Sequence, residues 1–369
     1  MVRKQLGKMA TGVMLAINLF FVGMWLLSAY SPYIHPAKHA ILSCMGLAFP
    51  VFLVINLCFL LFWLLIRHFK LALLPVAALL LCSPQLITYL PVNARTSRLP
   101  QGSFKFLSYN IMAFDGASKK NGHNAILDYL KQSRADILCL QEYQVQKSET
   151  YLTQQDVEEA LTDYPYHNIQ VVGSQRGYSN RMACFSKYPI LSARRVEYRS
   201  AYNGSVVYEL LMEGDTVMVI NNHLESNRLT KDDKVIYESM LTVPEAQKVK
   251  SGARLLIGKL AEASVIRSAQ ADSVAKIIQS SPHPYIIVCG DFNDTAISYT
   301  HRVIGQGLDD AFTHSGRGPG ISFNQNHFYF RIDHILTSRN LQSYNCTVDD
   351  SIAESDHYPI WCYLSKKHP

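Results

Sequence analysis

The chain has 369 residues, 48% of them hydrophobic and 17% charged, with a formal net charge of +6. Residues 1–100 hold eight Lys or Arg and no Asp or Glu, so the remaining 269 carry 27 basic and 29 acidic residues, a net of −2. The basic balance therefore belongs to the N-terminal part, and the rest lacks the general positive excess that supplies non-specific affinity for nucleic acid.

Three apolar runs fill the first hundred residues, at 9–30, 41–66 and 71–90, of 22, 26 and 20 residues. Each is long enough, at about 1.5 Å per residue, to cross about 30 Å of hydrocarbon, and together they are read as three transmembrane helices rather than a signal peptide or buried core helices. Basic residues flank the first run (Arg3, Lys4, Lys8) and separate the second from the third (Arg67, Lys70), against Lys38 alone in the first loop. That bias places the N-terminus inside and, after three crossings, everything past about residue 92 outside, although Arg95, Arg98 and Lys105 pull the other way. The chain is expected to be an integral, multi-pass inner membrane protein with everything past about residue 92 on the periplasmic side. The runs hold no acidic residue and no interior Lys or Arg, which argues against a transport pathway.

Domain limits follow: an anchor over 1–91, a linker over 92–103 (VNARTSRLPQGS) and a second unit over 104–369. In that unit short runs rich in β-branched and aromatic residues predict strands at 104–109, 137–141, 183–186, 206–212, 216–221, 285–289, 331–337 and 359–364. Helical spacing predicts helices at 124–133, 155–161 and 253–279, so the class is mixed α/β. Residues 226–252 are polar and read as a surface insertion, a solvated loop and helix whose Lys and Arg could otherwise meet an anionic substrate or lipid head groups. The eight cysteines form no CxxC or zinc-like spacing and read as small buried hydrophobes without a disulfide framework.

The run PYIIVCGDFND raises the functional question, because an apolar strand ends in Gly290 and then crowds Asp291, Asn293 and Asp294 together. The pattern recurs: FLSYN ends at Asn110, ILCLQE at Glu142 and VMVINNH at His223, while RIDHIL holds Asp333 and His334, and ESDHYPI holds Asp356 and His357. One Asp or Asn after a strand is ordinary turn chemistry. Six such ends are not, since Asn110, Glu142, Asp291, Asn293 and Asp356 make an oxygen-rich set of the kind Mg²⁺ takes, and His223 and His357 each arrive beside acceptors. A zinc site would want more His or thiolate. His334 alternates away from Asp333 along its strand and reads as structural.

The ordered set SYN, LQE, NNHLES, GDFND, RIDHIL and SDHYPI resembles the endonuclease/exonuclease/phosphatase (DNase I-like) superfamily, in a membrane-anchored bacterial type, across about residues 104–364. The resemblance implies a four-layer α/β sandwich, two packed mixed β-sheets flanked by helices, preceded by the three apolar helices. It implies Glu142 as principal metal ligand, with Asn110 and Asp356 beside it, and Mg²⁺ or alternatively Mn²⁺ as the cofactor. Asp291 and Asn293 would align water and phosphoryl oxygens, Asp333 would orient His357, and His223 would contact phosphate or protonate the leaving oxygen. Asn180 and Arg181 would lie near the substrate phosphate. Met112 departs from the pattern where some family nucleases have Asp, with Asp115 too far along to replace it, which puts a two-metal scheme in doubt.

The expected activity is phosphodiester hydrolysis by metal-assisted water attack. A phospholipid or sphingolipid near the bilayer is the favoured substrate, nucleic acid remains open as a substrate of an extracytoplasmic nuclease, and a non-catalytic binding protein on the same fold is the third reading. No protein partner is expected.

Overall fold

A computed structural model describes the chain except residues 1, 121, 176–177, 201, 228–230, 243–245, 326–327 and 368–369. Two N-terminal helical segments, Gln5–Tyr33 and Ala40–Leu65, are long and apolar enough to cross a membrane. The Trp63 indole N–H donates to the Asn18 side-chain oxygen at 2.8 Å, tying one to the other. The third expected span is a broken pair, Phe69–Leu81 and Ser83–Tyr89, bent by 63°. Pro84 in the first turn of the second piece explains the break, because proline starts a helix readily but cannot continue one.

Among the described residues, twelve strands form two six-stranded sheets. They are β1 (Phe104–Asn110), β2 (Ile137–Gln141), β3 (Tyr166–Gln175), β4 (Tyr178–Ser186), β5 (Ile190–Arg195), β6 (Gly204–Met212), β7 (Asp215–His223), β8 (Tyr285–Asp291), β9 (Leu308–Asp310), β10 (Asp333–Ser338), β11 (Leu341–Val348) and β12 (Ile360–Lys366). The first sheet runs β11-β12-β1-β2-β4-β3 and the second β5-β6-β7-β8-β10-β9. Strand alternation builds the layers. Phe106, Cys139, Cys184, Val219, Ile287 and Cys289 meet between the sheets, whereas Leu107, Leu138 and Phe185 face the helices Ala125–Ser133 and Gln154–Ala160. Val274 and Ile278 of the long helix Ala246–Ser280 cover the other outer face through Ile220 and Val288. The result is a four-layer α/β sandwich. All eight cysteines are free, five of the sandwich's being buried.

The polar insertion is helical in part and leaves Val235 exposed. Residues Lys231–Thr242 form a helix whose Asp233 is buried against the Lys259 ammonium, and the Tyr237 ring stacks on Phe328 at 4.3 Å.

Among the described residues two strand pairings are parallel, β1 with β2 and β7 with β8, and each brings two C-terminal strand ends side by side. At the end of β8, Gly290 has φ of +119°, and a Cβ there would lie 2.0 Å from the Asn222 carbonyl oxygen. Glycine is what lets β8 press against β7 and then turn, and this answers why a turn-forming residue sits inside an apolar strand. Gly290→Ala is expected to lower the unfolding free energy by about 3 kcal/mol or more, measured by denaturant titration of the full chain in detergent.

Candidate active site

The site forms where the C-terminal ends of β1, β2, β7 and β8 meet the start of β10 and the segment before β12. Asp333 pairs with Asp291 across β10 and β8, and His223 pairs with Asp291 across β7 and β8. Asp291 is the hub. Its Oδ2 accepts from the side-chain amides of Asn110 and Asn293, each at 3.2 Å, and lies 3.7 Å from His223 Nε2 and 3.6 Å from His357 Nε2. Its Oδ1 accepts the Asn293 backbone N–H at 2.8 Å. Asn110 also donates to Glu142 Oε1 at 3.3 Å, and His223 Nε2 lies 3.6 Å from the same oxygen.

The two imidazoles are set differently. His357 Nδ1 meets Asp333 Oδ2 at 2.7 Å, and the Asp333 backbone N–H is held by Ser322 Oγ at 3.0 Å. Burial alone would push His357 down, but the carboxylates of Asp333 and Asp291 outweigh it and raise His357 well above the ordinary imidazole value. Asp333 falls below the usual carboxylate range, burial being outweighed by the imidazolium. His223 is pushed down by burial, with Asp291 opposing. Asn180 Nδ2 donates to His223 Nδ1 at 3.2 Å, so the His223 proton sits on Nε2, facing Glu142 and Asp291. Burial raises Asp291 to about 6, His357 pulling the other way. Burial and the Asp356 charge raise Glu142.

A divalent cation fits this set. Asp356 and Glu142 repel each other, which a hard cation would relieve, and two carboxylates plus waters and a substrate phosphate are an ordinary Mg²⁺ complement. The oxygens of Asp291 and Asp333 and a nitrogen of His357 also lie within 4.8 Å of one another, with Asp333 already holding Nδ1 of that imidazole.

Eight of the ten expected site residues are joined by the contacts above, and Asp356, which lines a pocket with Met112, Asp115, Lys120 and Glu354, reaches Glu142, His223 and His357 through its charge. Arg181 does not. Along β4, Asn180, Met182 and Cys184 face the sheet interface, so alternation turns Arg181 to the outer face, where its charge acts on Tyr143. Asn110 turns the nitrogen of its amide toward the two carboxylates, while the oxygen accepts the Met112 N–H at 3.2 Å. His334 does point behind the sheet, with Nε2 on the Asp294 carbonyl at 2.9 Å and the His301 ring at 4.7 Å.

Other supports carried no signal that sequence reasoning caught. Gln141 donates to Asn221 Oδ1 at 2.6 Å, crossing from one sheet to the other directly under the site. The Ser355 hydroxyl donates to the Asn110 carbonyl at 2.7 Å and accepts the His357 N–H at 3.2 Å, locking two site segments together. The turn Met112–Ala117 is left-handed, with φ from +43° to +67° throughout. Such a run costs about 1–2 kcal/mol per non-glycine residue. It is held by the Ala113 N–H on the Glu142 carbonyl and by Asn124, whose amide donates to the Phe114 carbonyl at 2.8 Å. That turn brings Asp115, which looked too distant in sequence, to the same cleft wall as Asp356.

A sequence model described as the Endonuclease/Exonuclease/phosphatase family matches residues 107–357, and a domain of unknown function matches residues 11–89. Among curated proteins nothing matches. Among solved structures, the human Nocturnin catalytic domain with bound sulfate is 16% identical, with 75% of this chain and 97% of that one covered and a TM-score of 0.50. The endonuclease/exonuclease/phosphatase from Beutenbergia cavernae DSM 12333 is 14% identical, covering 72% of each chain, TM-score 0.49. Sphingomyelinase C from Streptomyces griseocarneus is 17% identical, with 72% and 99% covered, TM-score 0.45.

Proposed function

We propose that this chain, which belongs to the endonuclease/exonuclease/phosphatase family, is a membrane-anchored, divalent-metal-dependent phosphodiesterase. The observation that carries the reading is the hub at Asp291, where two amides and two imidazoles converge on one buried carboxylate next to Glu142. A cation held by Glu142 and Asp356, Mg²⁺ first and Mn²⁺ second, supplies charge neutralisation at a phosphate oxygen. The protein's own groups do the rest. Asp291, raised to about 6 and so ionised at neutral pH, takes the proton from an attacking water. Asn293 and Asn110 hold that carboxylate in place. His357, an imidazolium fixed by Asp333, donates to a phosphoryl oxygen or the leaving oxygen, and the neutral His223 donates through Nε2.

We place the anchor at 1–91, a connecting strap at 92–103 and the catalytic domain at 104–369. The catalytic domain lies on the outer, periplasmic side of a multi-pass inner membrane protein. Contacts support one side for both: Pro32, at the end of the first span, and Asn93, after the broken helix pair, each bond to the catalytic domain. A bilayer phosphoester is favoured over nucleic acid, because the cleft wall beside Asp356 carries Asp115 and Glu354 against Lys120, which opposes a polyanion strand.

The test is hydrolysis of bis(p-nitrophenyl) phosphate, plasmid DNA and phospholipid vesicles by the full chain with Mg²⁺ and with EDTA. EDTA is expected to abolish turnover and Mg²⁺ or Mn²⁺ to restore it; turnover indifferent to EDTA would remove the metal from the account. DNA cleaved faster than lipid would move the substrate to nucleic acid. With Asp291 as base, kcat/KM should fall about tenfold per pH unit below about 6, and a profile flat to pH 5 contradicts that role.

A further inference from the structure

The catalytic domain touches the apolar helices at more than the covalent connection. Ile297, 3% exposed, packs in one cluster with Val22, Trp25, Ala29, Phe49 and Cys82. Gly46 lies flat on it: a Cβ at Gly46 would sit 1.8 Å from the Ile297 carbonyl oxygen. Next to this seat the Arg302 Nε donates to the Pro32 carbonyl at 2.7 Å, and its guanidinium stands 4.9 Å from the Tyr33 ring centroid. On the other side Arg331 donates to the Thr88 carbonyl.

The segment after the third helix pair is also strapped down. Gly318 donates to the Pro91 carbonyl at 2.9 Å, Asn93 donates to the Thr313 and Gly316 carbonyls at 3.0 and 2.8 Å, and the Thr96 N–H donates to the Asn345 side chain at 2.8 Å. The domain is docked on the bundle from both sides.

Docking sets a height. Trp25 and Ala29 lie near the end of the first helix, which stops at Tyr30, so Ile297 is seated at the bundle's outer end. Asp291 is six residues from Ile297 in sequence, and a fully extended chain of that length spans at most about 20 Å. The Asp291 carboxylate is thus held within about that distance of the bundle end, next to the head-group layer.

Resting on the phosphodiesterase reading above, we propose that the seat of Ile297 on Gly46, with Arg302 on Pro32, positions the catalytic site at the surface of the bilayer the chain spans, so that it cleaves head-group phosphodiesters of lipids in that same bilayer. Gly46 and Arg302 are positioning residues, since neither touches the reacting atoms.

The experiment uses the full chain reconstituted in vesicles with Mg²⁺. One arm carries phosphatidylcholine labelled in its head group in the same vesicles, a second supplies it in separate vesicles, and a third supplies bis(p-nitrophenyl) phosphate in solution. Same-bilayer lipid should be cleaved at least about tenfold faster than lipid in separate vesicles, through its higher effective concentration. Gly46→Leu, and independently Arg302→Ala, should lower same-bilayer cleavage while leaving hydrolysis of the soluble diester unchanged. The proposal is overturned if the soluble diester is hydrolysed but lipid is cleaved equally in both arrangements or in neither, or if both variants lower soluble and lipid turnover alike. A wild-type chain inactive on the soluble diester would instead sink the phosphodiesterase reading and this proposal with it.

Discussion

Glu142→Gln is expected to lower phosphodiester turnover by about 10³-fold while leaving the fold intact, measured with a soluble diester at saturating Mg²⁺ and by an unchanged thermal transition. Gln keeps the shape and the partner for Asn110, which donates to Glu142 Oε1, so packing is spared. What is lost is the negative charge facing Asp356, and with it the cation's principal anchor. Stability should even rise slightly, because Glu142 is raised by burial and like charge, and removing such a group relieves the folded state. Lost activity together with a lost transition would show instead that Glu142 is a folding residue. Its backbone, at φ of +54°, is held by the Ala113 N–H on its carbonyl, and the substitution leaves both alone.

His357→Ala is expected to cost both chemistry and stability: about 10²–10⁴ in turnover for a lost general acid, and about 3–5 kcal/mol for breaking a buried pair from one side. Asp333 and Asp291, each 1% exposed, would be left facing each other without the imidazolium. The pH window follows from the shifts. His357 is raised, so its contribution is complete below the unfolded imidazole value of 6.5 and is lost as pH rises through the higher folded value. Asp333 is lowered, so its contribution is present above the unfolded value of 3.8 and is lost as pH falls through the lower folded value. The pair is therefore intact across neutral pH, where the deficit of His357→Ala should be largest. Adding Asp333→Asn to His357→Ala should recover part of the stability and none of the turnover; recovery of neither would mean that His357 stabilises through packing on Phe323, 5.2 Å away, and not through charge.

Much of this site was legible in the sequence because its chemistry sits at strand ends, where an apolar run stops and a polar residue follows. Asn110, Glu142, His223 and Asp291 each close or directly follow a strand with an inward apolar alternation. The four strands that sequence reasoning missed, β3, β5, β9 and β11, are the four sheet edges. Edge strands leave one side to solvent, so their pattern is diluted: Ile190–Arg195, for example, has no fully buried side chain. Arg181 lies off the site because the two-residue period of a strand assigns neighbours to opposite faces, so nearness to Asn180 in sequence is not nearness in space. The left-handed turn Met112–Ala117 had no signal, since only one of its six residues is glycine and tertiary bonds from Glu142 and Asn124 impose the conformation. The bend in the third helix pair was written in Ser83-Pro84, but hydropathy averages over it.

The central claim, a catalytic cation between Glu142 and Asp356, is tested most directly by anomalous diffraction from crystals of the full chain soaked in Mn²⁺. The account predicts one strong peak within ligand distance of both carboxylates, about 2.0–2.3 Å, that disappears in Glu142→Gln. A peak instead in the buried His301–Asp310–His334 group behind β10, with none at Glu142, would contradict it.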